Sequence, residues 1–322
     1  MAAPTTVEML RRRAELRERT RAFFAARGVM EVDTPVLGDG LVVEAHLDPV
    51  PCDVRVVDGQ PRRRHLLTSP EGPMKRLLAA GSGPIYQFAH AFRDGELGRR
   101  HAVEFTLLEW YRPGFDDDAL MREVEALVQH VVPDVARSPF DRRSYRELFV
   151  EHASVDPFAT TLAELRAACE RLGVPVPETF DDGTLDDALD LLLVAHVEPR
   201  LGRDRPLFVT DYPASQAALA RLRTNADGNR TAARFELYLR GVELANGYHE
   251  LTDADEQRRR FEQANATRVA DGRAPLPIDE PLLRALAAGM PDCAGVALGF
   301  DRLLMAADGI DDIRVVRPTP FA

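Results

Sequence analysis

The residues of this chain best placed to do chemistry lie in the stretch Ile85 to Tyr111, IYQFAHAFRDGELGRRHAVEFTLLEWY, where two apolar runs flank a polar loop. Arg93 stands at the entrance of the loop, and Glu109 and Tyr111 close the second run. A two-residue period puts Gln87, Ala89, Ala91 and Arg93 on one face of the first run, and Phe105, Leu107, Glu109 and Tyr111 on one face of the second. If these faces coincide, Arg93, Glu109 and Tyr111 share one floor. A charge in a buried strand is costly unless it meets an opposite charge, so the pattern fits a binding site. It fits equally an internal Arg–Glu pair that only keeps a hairpin in register. Near the other end of the chain, AGVALGFDRLLMAADG reads as a strand running into a helix, with Gly299 at the junction and Arg302 in the first helical turn. A helix N-terminus with an arginine beside it is a natural seat for phosphate. Lys75 is the single lysine among 41 basic residues; genomic base composition accounts for the arginine bias and leaves Lys75 as a position to follow.

The elements that must carry these groups follow from periodicity. Val7 to Gly28 has Leu10, Leu16, Phe23 and Phe24 at helical spacing, with Gly28 as the stop. Val29 to Leu37 is extended and interrupted by Pro35, and Leu41 to Val57 and His65 to Thr68 read as strands. Pro73 to Ala80 is a helix carrying Lys75, just after the tripeptide Ser69-Pro70-Glu71. From Asp116 to Leu201 the pattern is mostly helical, with Thr161 and Glu164 forming a capping box, and it reads as an insertion at about 116–201 into a single domain spanning 1–322. Arg205 to Asp211 is a buried-type strand, Ser215 to Arg223 a short helix, and Thr224 to Thr231 a mobile loop. Ala233 to Leu251 is two strands turning at Arg240-Gly241. In the second of them Glu243 faces away from Asn246, Tyr248 and Glu250 unless a bulge at Asn246-Gly247 re-aims it. Asp253 with Glu256 caps a long charged helix.

Composition sets limits. With 322 residues, 45% of them hydrophobic, the chain can bury a large core. A net charge of −11 argues against a protein that holds nucleic acid through bulk electrostatics. Cys52, Cys169 and Cys293 are scattered without a CxxC, which points to neither a zinc site nor a disulfide framework and fits a reducing cytoplasm. The first residues hold no apolar signal core, and no apolar run reaches membrane-spanning length. Gly81-Ser82-Gly83 precedes its strand and no P-loop exists, so a doubly wound nucleotide fold is set aside.

Three pieces, GVMEVDTPVL, FRDGELGRRHAVEFTLLEWY and GVALGFDRLL, resemble motifs 1, 2 and 3 of class II aminoacyl-tRNA synthetases. The intervening SPE and GVELANGYHEL resemble the lysyl-tRNA synthetase subgroup, and together the likeness covers essentially the whole chain. Motif 1 begins about thirty residues in, which implies a catalytic core without the OB-fold anticodon domain. PASQAALARL at Pro213–Leu222, and His249 in GYHEL, resemble the branch of stand-alone paralogues that join (R)-β-lysine to a lysine of translation elongation factor P. The resemblance implies an α+β fold, an antiparallel sheet flanked by helices, and a homodimer formed through motif 1. It also implies a cytoplasmic enzyme that uses ATP and Mg²⁺ to activate (R)-β-lysine or lysine as an adenylate, with no stable nucleic-acid partner and no membrane.

The same resemblance assigns roles. Arg93 reaches the α-phosphate and the amino-acid carboxylate, Arg302 lies along the phosphates, and Glu243 holds Mg²⁺. Glu71, Glu109 and Glu250 meet the ammonium groups with Tyr111, while Ser69, Asn246 and Ala297 complete the amino-acid pocket. Asp94, Gly95, Glu96, Ala102, Phe105, Leu244 and Gly299 complete the ATP site. Two departures stand out. Relatives read Arg-x-Glu where this chain has Arg93-Asp94-Gly95, and Asn-Pro where it has Ala102-Val103. They read as lost contacts to ATP, with Glu96 after a one-residue shift, or His101, as substitutes. Another amine acceptor, or a non-catalytic synthetase-like binding protein, remains an alternative.

Overall fold

A computed structural model describes residues 6–55, 59–177 and 183–317. The contacts divide the chain into two compact units, Met1–Phe115 with His130–Val132 and Glu250–Ala322, and Asp116–Gln129 with Pro133–His249.

The first unit opens with α1 (Thr6–Ala25), followed by β1 (Met30–Glu31), β2 (Leu37–Gly38), β3 (Val50–Arg55), β4 (Pro61–Leu66), α2 (Glu71–Ala79), β5 (Ile85–Phe92) and β6 (Glu104–Pro113). The β-like expectation for Leu41 to Val57 narrows to β3. Leu41 makes only an isolated bridge to Ile278, and Val56 and Val57 lie outside the described residues. The chain next builds the second unit: α3 (Asp117–Val131, whose last two residues belong to the first unit), β7 (Asp141–Ser144), α4 (Tyr145–Ala153), α5 (Leu162–Leu172), α6 (Leu185–Leu192), β8 (Leu207–Thr210), β9 (Leu222–Thr224), β10 (Arg230–Ala232), β11 (Arg234–Leu239) and β12 (Val242–His249). It then returns to the first unit with α7 (Ala254–Ala270), α8 (Glu280–Gly289), β13 (Cys293–Gly299), α9 (Phe300–Asp308) and α10 (Ile313–Val316).

In the first unit, β6 runs antiparallel to both β5 and β13, while the short β1 pairs parallel with β5. The hairpin register sets Gln87 opposite Glu109, Ala89 opposite Leu107 and Ala91 opposite Phe105, so the two expected faces do coincide. The opposite face carries the aromatic residues. Phe24 of α1 stacks on Tyr86 at 4.3 Å and meets Trp110 edge-on, and Phe300 of α9 meets Phe88 edge-on at 5.1 Å. The two-residue period puts Tyr86, Phe88 and Trp110 on the face packed by α1 and α9, and Gln87, Ala89, Ala91, Glu109 and Tyr111 on the other.

α9 is fastened to this sheet by Asp301, which is buried. Its carboxylate accepts from the Thr106 backbone N–H at 2.8 Å and from Arg13 at 2.5 Å, and Arg13 also donates to the Thr106 hydroxyl at 2.6 Å.

In the second unit, β8 is flanked by β7, parallel, and β11, antiparallel. The helical expectation for 116–201 therefore misses β7, a strand too short and too charged (DRRS) to show an apolar alternation. The capping boxes at Ser144/Glu147, Thr161/Glu164 and Thr184/Asp187 start α4, α5 and α6. Tyr145, Phe149, Leu192, Val209 and Tyr212 lie at the core of this unit. Two local expectations are corrected. Ser215 to Arg223 is a single turn, Ala214–Gln216, running on into β9, and the polar run after it is a hairpin of β9 with β10. Arg240 and Gly241 both adopt left-handed conformations, the geometry that turns β11 tightly into β12.

Asp301→Ala should lower stability by about 3 kcal/mol, because it strips a partly buried arginine and a buried backbone N–H of a charged acceptor. Chemical denaturation checks this, and an unchanged midpoint would show that α9 is held by packing alone.

Candidate active site

The other face of the β5–β6–β13 sheet is a floor with one acid, Glu109, among Gln87, Tyr111 and the small residues Ala89, Ala91, Gly295 and Ala297. Glu109 is flanked by Gln87 on one strand and Ala297 on the other, and Tyr111 stands opposite Gly295. Gly295 was not singled out in the sequence, yet a Cβ there would come within 2.3 Å of the Tyr111 ring and 2.5 Å of Glu250 Oε1. A glycine inside a strand was the available signal of a close approach.

Over this floor α2 brings Glu71 and, one turn later, Lys75. The Lys75 ammonium lies 2.6 Å from Glu71 Oε1 and 2.6 Å from Glu250 Oε2, and the lysine is buried. Glu250 is itself held by its backbone N–H, which donates to the Cys293 carbonyl at 3.0 Å. Burial opposes the charge on Lys75, but the two carboxylates outweigh it and push its pKa up. Ser69 is half-buried beside the start of α2, its hydroxyl 3.4 Å from the Glu71 N–H.

Glu109 is the third buried carboxylate. Its Oε1 accepts from the Tyr111 hydroxyl at 2.7 Å, while Oε2 is buried without a hydrogen-bond partner. Burial first, then repulsion from Glu71 and Glu250, pushes its pKa up to about 8, against the pull of Tyr111 and Lys75. The Tyr111 hydroxyl is raised well above its ordinary value by burial and by Glu109. Among the described residues Glu109 thus pairs with no arginine, and the pair of Arg93 is Glu96, not Glu109.

At the other end of the hairpin, Arg93 lies 5.0 Å from the centroid of the Phe105 ring, with its Nε buried and unpartnered. Its backbone N–H donates to the Val103 carbonyl, and the Asp94 N–H to the Asp48 carbonyl. Asp48 is gripped in turn by Arg268 of α7 at 2.5 Å, so the loop is anchored at its base. Gly95 adopts a left-handed φ of 78°, and the next residue, Glu96, brings its carboxylate 3.7 Å from Arg93. The glycine permits a turn that places the carboxylate of the following position, rather than one at 95, beside Arg93. Ala102 is half-buried in the same loop. Arg302 donates to His101 Nε2 at 2.8 Å, which requires the neutral imidazole. Desolvation and then the Arg302 guanidinium hold the His101 pKa below its ordinary value. Arg99, Arg100, His101 and Asp311 line a cleft beside this pair, and Gly299 caps the N-terminus of α9.

Glu243, Leu244 and Asn246 belong to the second unit. The bulge in β12 falls at Leu244 rather than at Asn246-Gly247, because Leu237 faces Ala245 while Tyr238 faces Glu243. The extra residue brings Glu243 and Asn246 onto one face despite their spacing of three. They stand opposite Tyr238 and Glu236 respectively. Asn246 Oδ1 has no hydrogen-bond partner. Glu236, not anticipated from the sequence, is already engaged, accepting from Tyr212 at 2.6 Å, from Tyr238 at 2.5 Å and from Arg234. Among the described residues no group of three or more His, Cys, Asp and Glu side chains forms a metal cage, and no helix is long and apolar enough to cross a membrane.

A sheet floor carrying acids at one end and arginines at the other, reached by a hairpin loop and a strand-to-helix junction, is the arrangement of a class II synthetase core. Residues 1–322 match the family tRNA synthetases class II (D, K and N), and the chain belongs to that family. It is 46% identical over 312 residues to the elongation factor P–(R)-beta-lysine ligase of Salmonella typhi, covering 96% of this chain and 93% of the relative. The proteins of that name from Salmonella paratyphi B and Salmonella schwarzengrund match with the same identity and coverage.

Because Glu109 ionises near 8 when folded and near 4.5 when unfolded, it favours the folded state below about pH 4.5, and that contribution is lost as pH rises through about 8. Glu109→Gln should flatten this slope. Thermal melts between pH 5 and pH 8.5 check it, and parallel curves for the two proteins would contradict it.

Proposed function

We propose that this protein uses ATP to activate (R)-β-lysine, or lysine, as an aminoacyl adenylate and transfers it to a lysine side chain of translation elongation factor P. The observation that carries this reading is the buried acid cluster, above all the unpartnered Oε2 of Glu109, at one end of a floor whose other end offers the unpartnered Nε of Arg93. Taking ammonium groups out of water costs several kcal/mol each unless carboxylates in good geometry receive them, and the floor supplies such carboxylates.

The chemistry follows from charge. A substrate carboxylate must attack the α-phosphate of ATP in line, so two anions are brought together and pyrophosphate departs. Arg93 neutralises the carboxylate and α-phosphate, and Arg302, held by neutral His101, lies along the departing phosphates. Gly299 leaves the backbone open beside the nucleotide, and Phe105 backs Arg93. Glu96 takes the part that relatives give to the residue before it. Transfer then passes the acyl group from the adenylate to the acceptor amine, breaking the acyl–phosphate bond, forming an amide and releasing AMP. Mg²⁺ takes oxygen ligands, commonly one or two carboxylates beside substrate phosphates. Glu243 and the unpartnered Oδ1 of Asn246, which share one face of β12, offer such oxygens, and the ion would supply positive charge. Exposed apolar residues in the motif 1 segment, Met30, Val36 and Leu37, support a homodimer formed there.

ATP–pyrophosphate exchange measured with lysine, (R)-β-lysine and other diamines, followed by transfer of labelled product to elongation factor P, tests this function. Exchange without any diamine preference would overturn it. Arg93→Ala and Arg302→Ala should each lower exchange by about a hundredfold or more. Wild-type rates in either folded variant would show the phosphate end to be misplaced. Glu96→Ala should raise the KM for ATP, whereas Gly95→Glu should not lower it, since a side chain at that φ is strained. A lower KM in Gly95→Glu would mean that the loop has lost a contact after all.

A further inference from the structure

We propose that Lys75 is a positioning and specificity-determining residue: a built-in third cation that balances the three buried carboxylates so that the pocket accepts two, and only two, further ammonium charges. This rests on the diamine reading of the site. Glu71, Glu109 and Glu250 carry three negative charges when ionised, and Lys75 ion-pairs with two of them. Its ammonium bridges Glu71 and Glu250, from α2 and from the residue following β12. The groups facing this cluster are therefore Glu71 and Lys75 on the helix, Glu250 beyond β12, and Glu109 with Tyr111 on β6. One internal cation and the two ammonium groups of a diamine make three positive charges against three negative. With a monoamine one buried carboxylate is left without a counter-charge, a costly arrangement in low dielectric.

Lys75 also does what a substrate group cannot, because it is present before binding. Bridging two acids fixes where their remaining oxygen atoms point, and the pocket is organised in advance of the diamine. As the sole lysine of an arginine-rich chain, it occupies a place where a point charge on a slender stem fits and a planar guanidinium presents a different geometry.

The test compares wild type with Lys75→Met, which keeps the shape and removes the charge, and Lys75→Arg, which keeps the charge. Without ligand, Lys75→Met should lose Tm as pH rises from about 5 to about 8 more steeply than wild type, since buried carboxylates lacking a counter-charge fold protonated and ionise on unfolding. Lys75→Arg should follow the wild-type slope. In pyrophosphate exchange Lys75→Met should raise the KM for the diamine by about tenfold or more while leaving the KM for ATP close to wild type. Should Lys75→Met fail to fold, the double variant Lys75→Met with Glu250→Gln, which removes one charge of each sign, should fold and show a shallower pH slope than any soluble remnant of the single variant. The proposal is overturned if Lys75→Met matches wild type in both measurements. It is also overturned if its Tm falls equally at all pH values with both KM values raised together, or if the double variant fails like the single one. A wild-type enzyme inactive with every diamine would sink the proposed function, while the ligand-free melts would still decide the charge balance of Lys75.

Discussion

A carboxylate buried without compensation is among the most expensive things a fold can hold, and this one holds three around a single sheet floor. The rest of the first unit is arranged to make that tolerable. α2 delivers a lysine between two of the acids, Tyr111 donates to the third, and Gly295 leaves room for Tyr111 and Glu250 to approach the same point on β13. One half of one carboxylate, Glu109 Oε2, remains unsatisfied. Such an unsatisfied buried oxygen is the kind of group that a partner from outside the chain can satisfy.

The two ends of the floor solve opposite problems by different means. The acid end is built on α2, β6 and Glu250, whose backbone N–H is held by the first residue of β13, and it is buried. The arginine end sits where β5 gives way to a loop and where β13 gives way to α9, and it is half-exposed. That division suits a site in which an ammonium must be fully desolvated to be recognised, while a triphosphate has to enter and pyrophosphate has to leave. The loop is nevertheless anchored at its base, through Asp94 to Asp48 and from Asp48 to Arg268, so that freedom is confined to its tip.

The arrangement of β12 shows how one extra residue in a strand changes which side chains share a face. With regular alternation Glu243 and Asn246 would lie on opposite faces. The bulge at Leu244 brings them together beside Glu236, whose own oxygens are consumed by two tyrosines and an arginine. The face therefore keeps one engaged acid that fixes the strand, together with an asparagine oxygen left over.

The sequence by itself indicated the hairpin and, through the two-residue period, which residues share a face within each strand; that the two faces coincide was settled by the pairing register. It determined the start of α5 as well, since the capping box of Thr161 and Glu164 is written in residues three apart. Motif order identified the family. Other features depended on partners distant in the chain. β7 carries too few apolar residues to announce a strand and exists because β8 pairs with it. The position of the β12 bulge is fixed by β11, and the hairpin of β9 with β10 by cross-strand bonds that no local propensity encodes. Above all, the role of Lys75 was invisible: a lysine in a short helix is ordinarily solvated. Only the tertiary structure, by folding Glu250 back from 175 positions further along the chain to within 2.6 Å of it, turned that residue into the counter-charge of the site. Long-range electrostatic pairing leaves no periodicity in a sequence, and that is the physical reason it had to be seen in the fold.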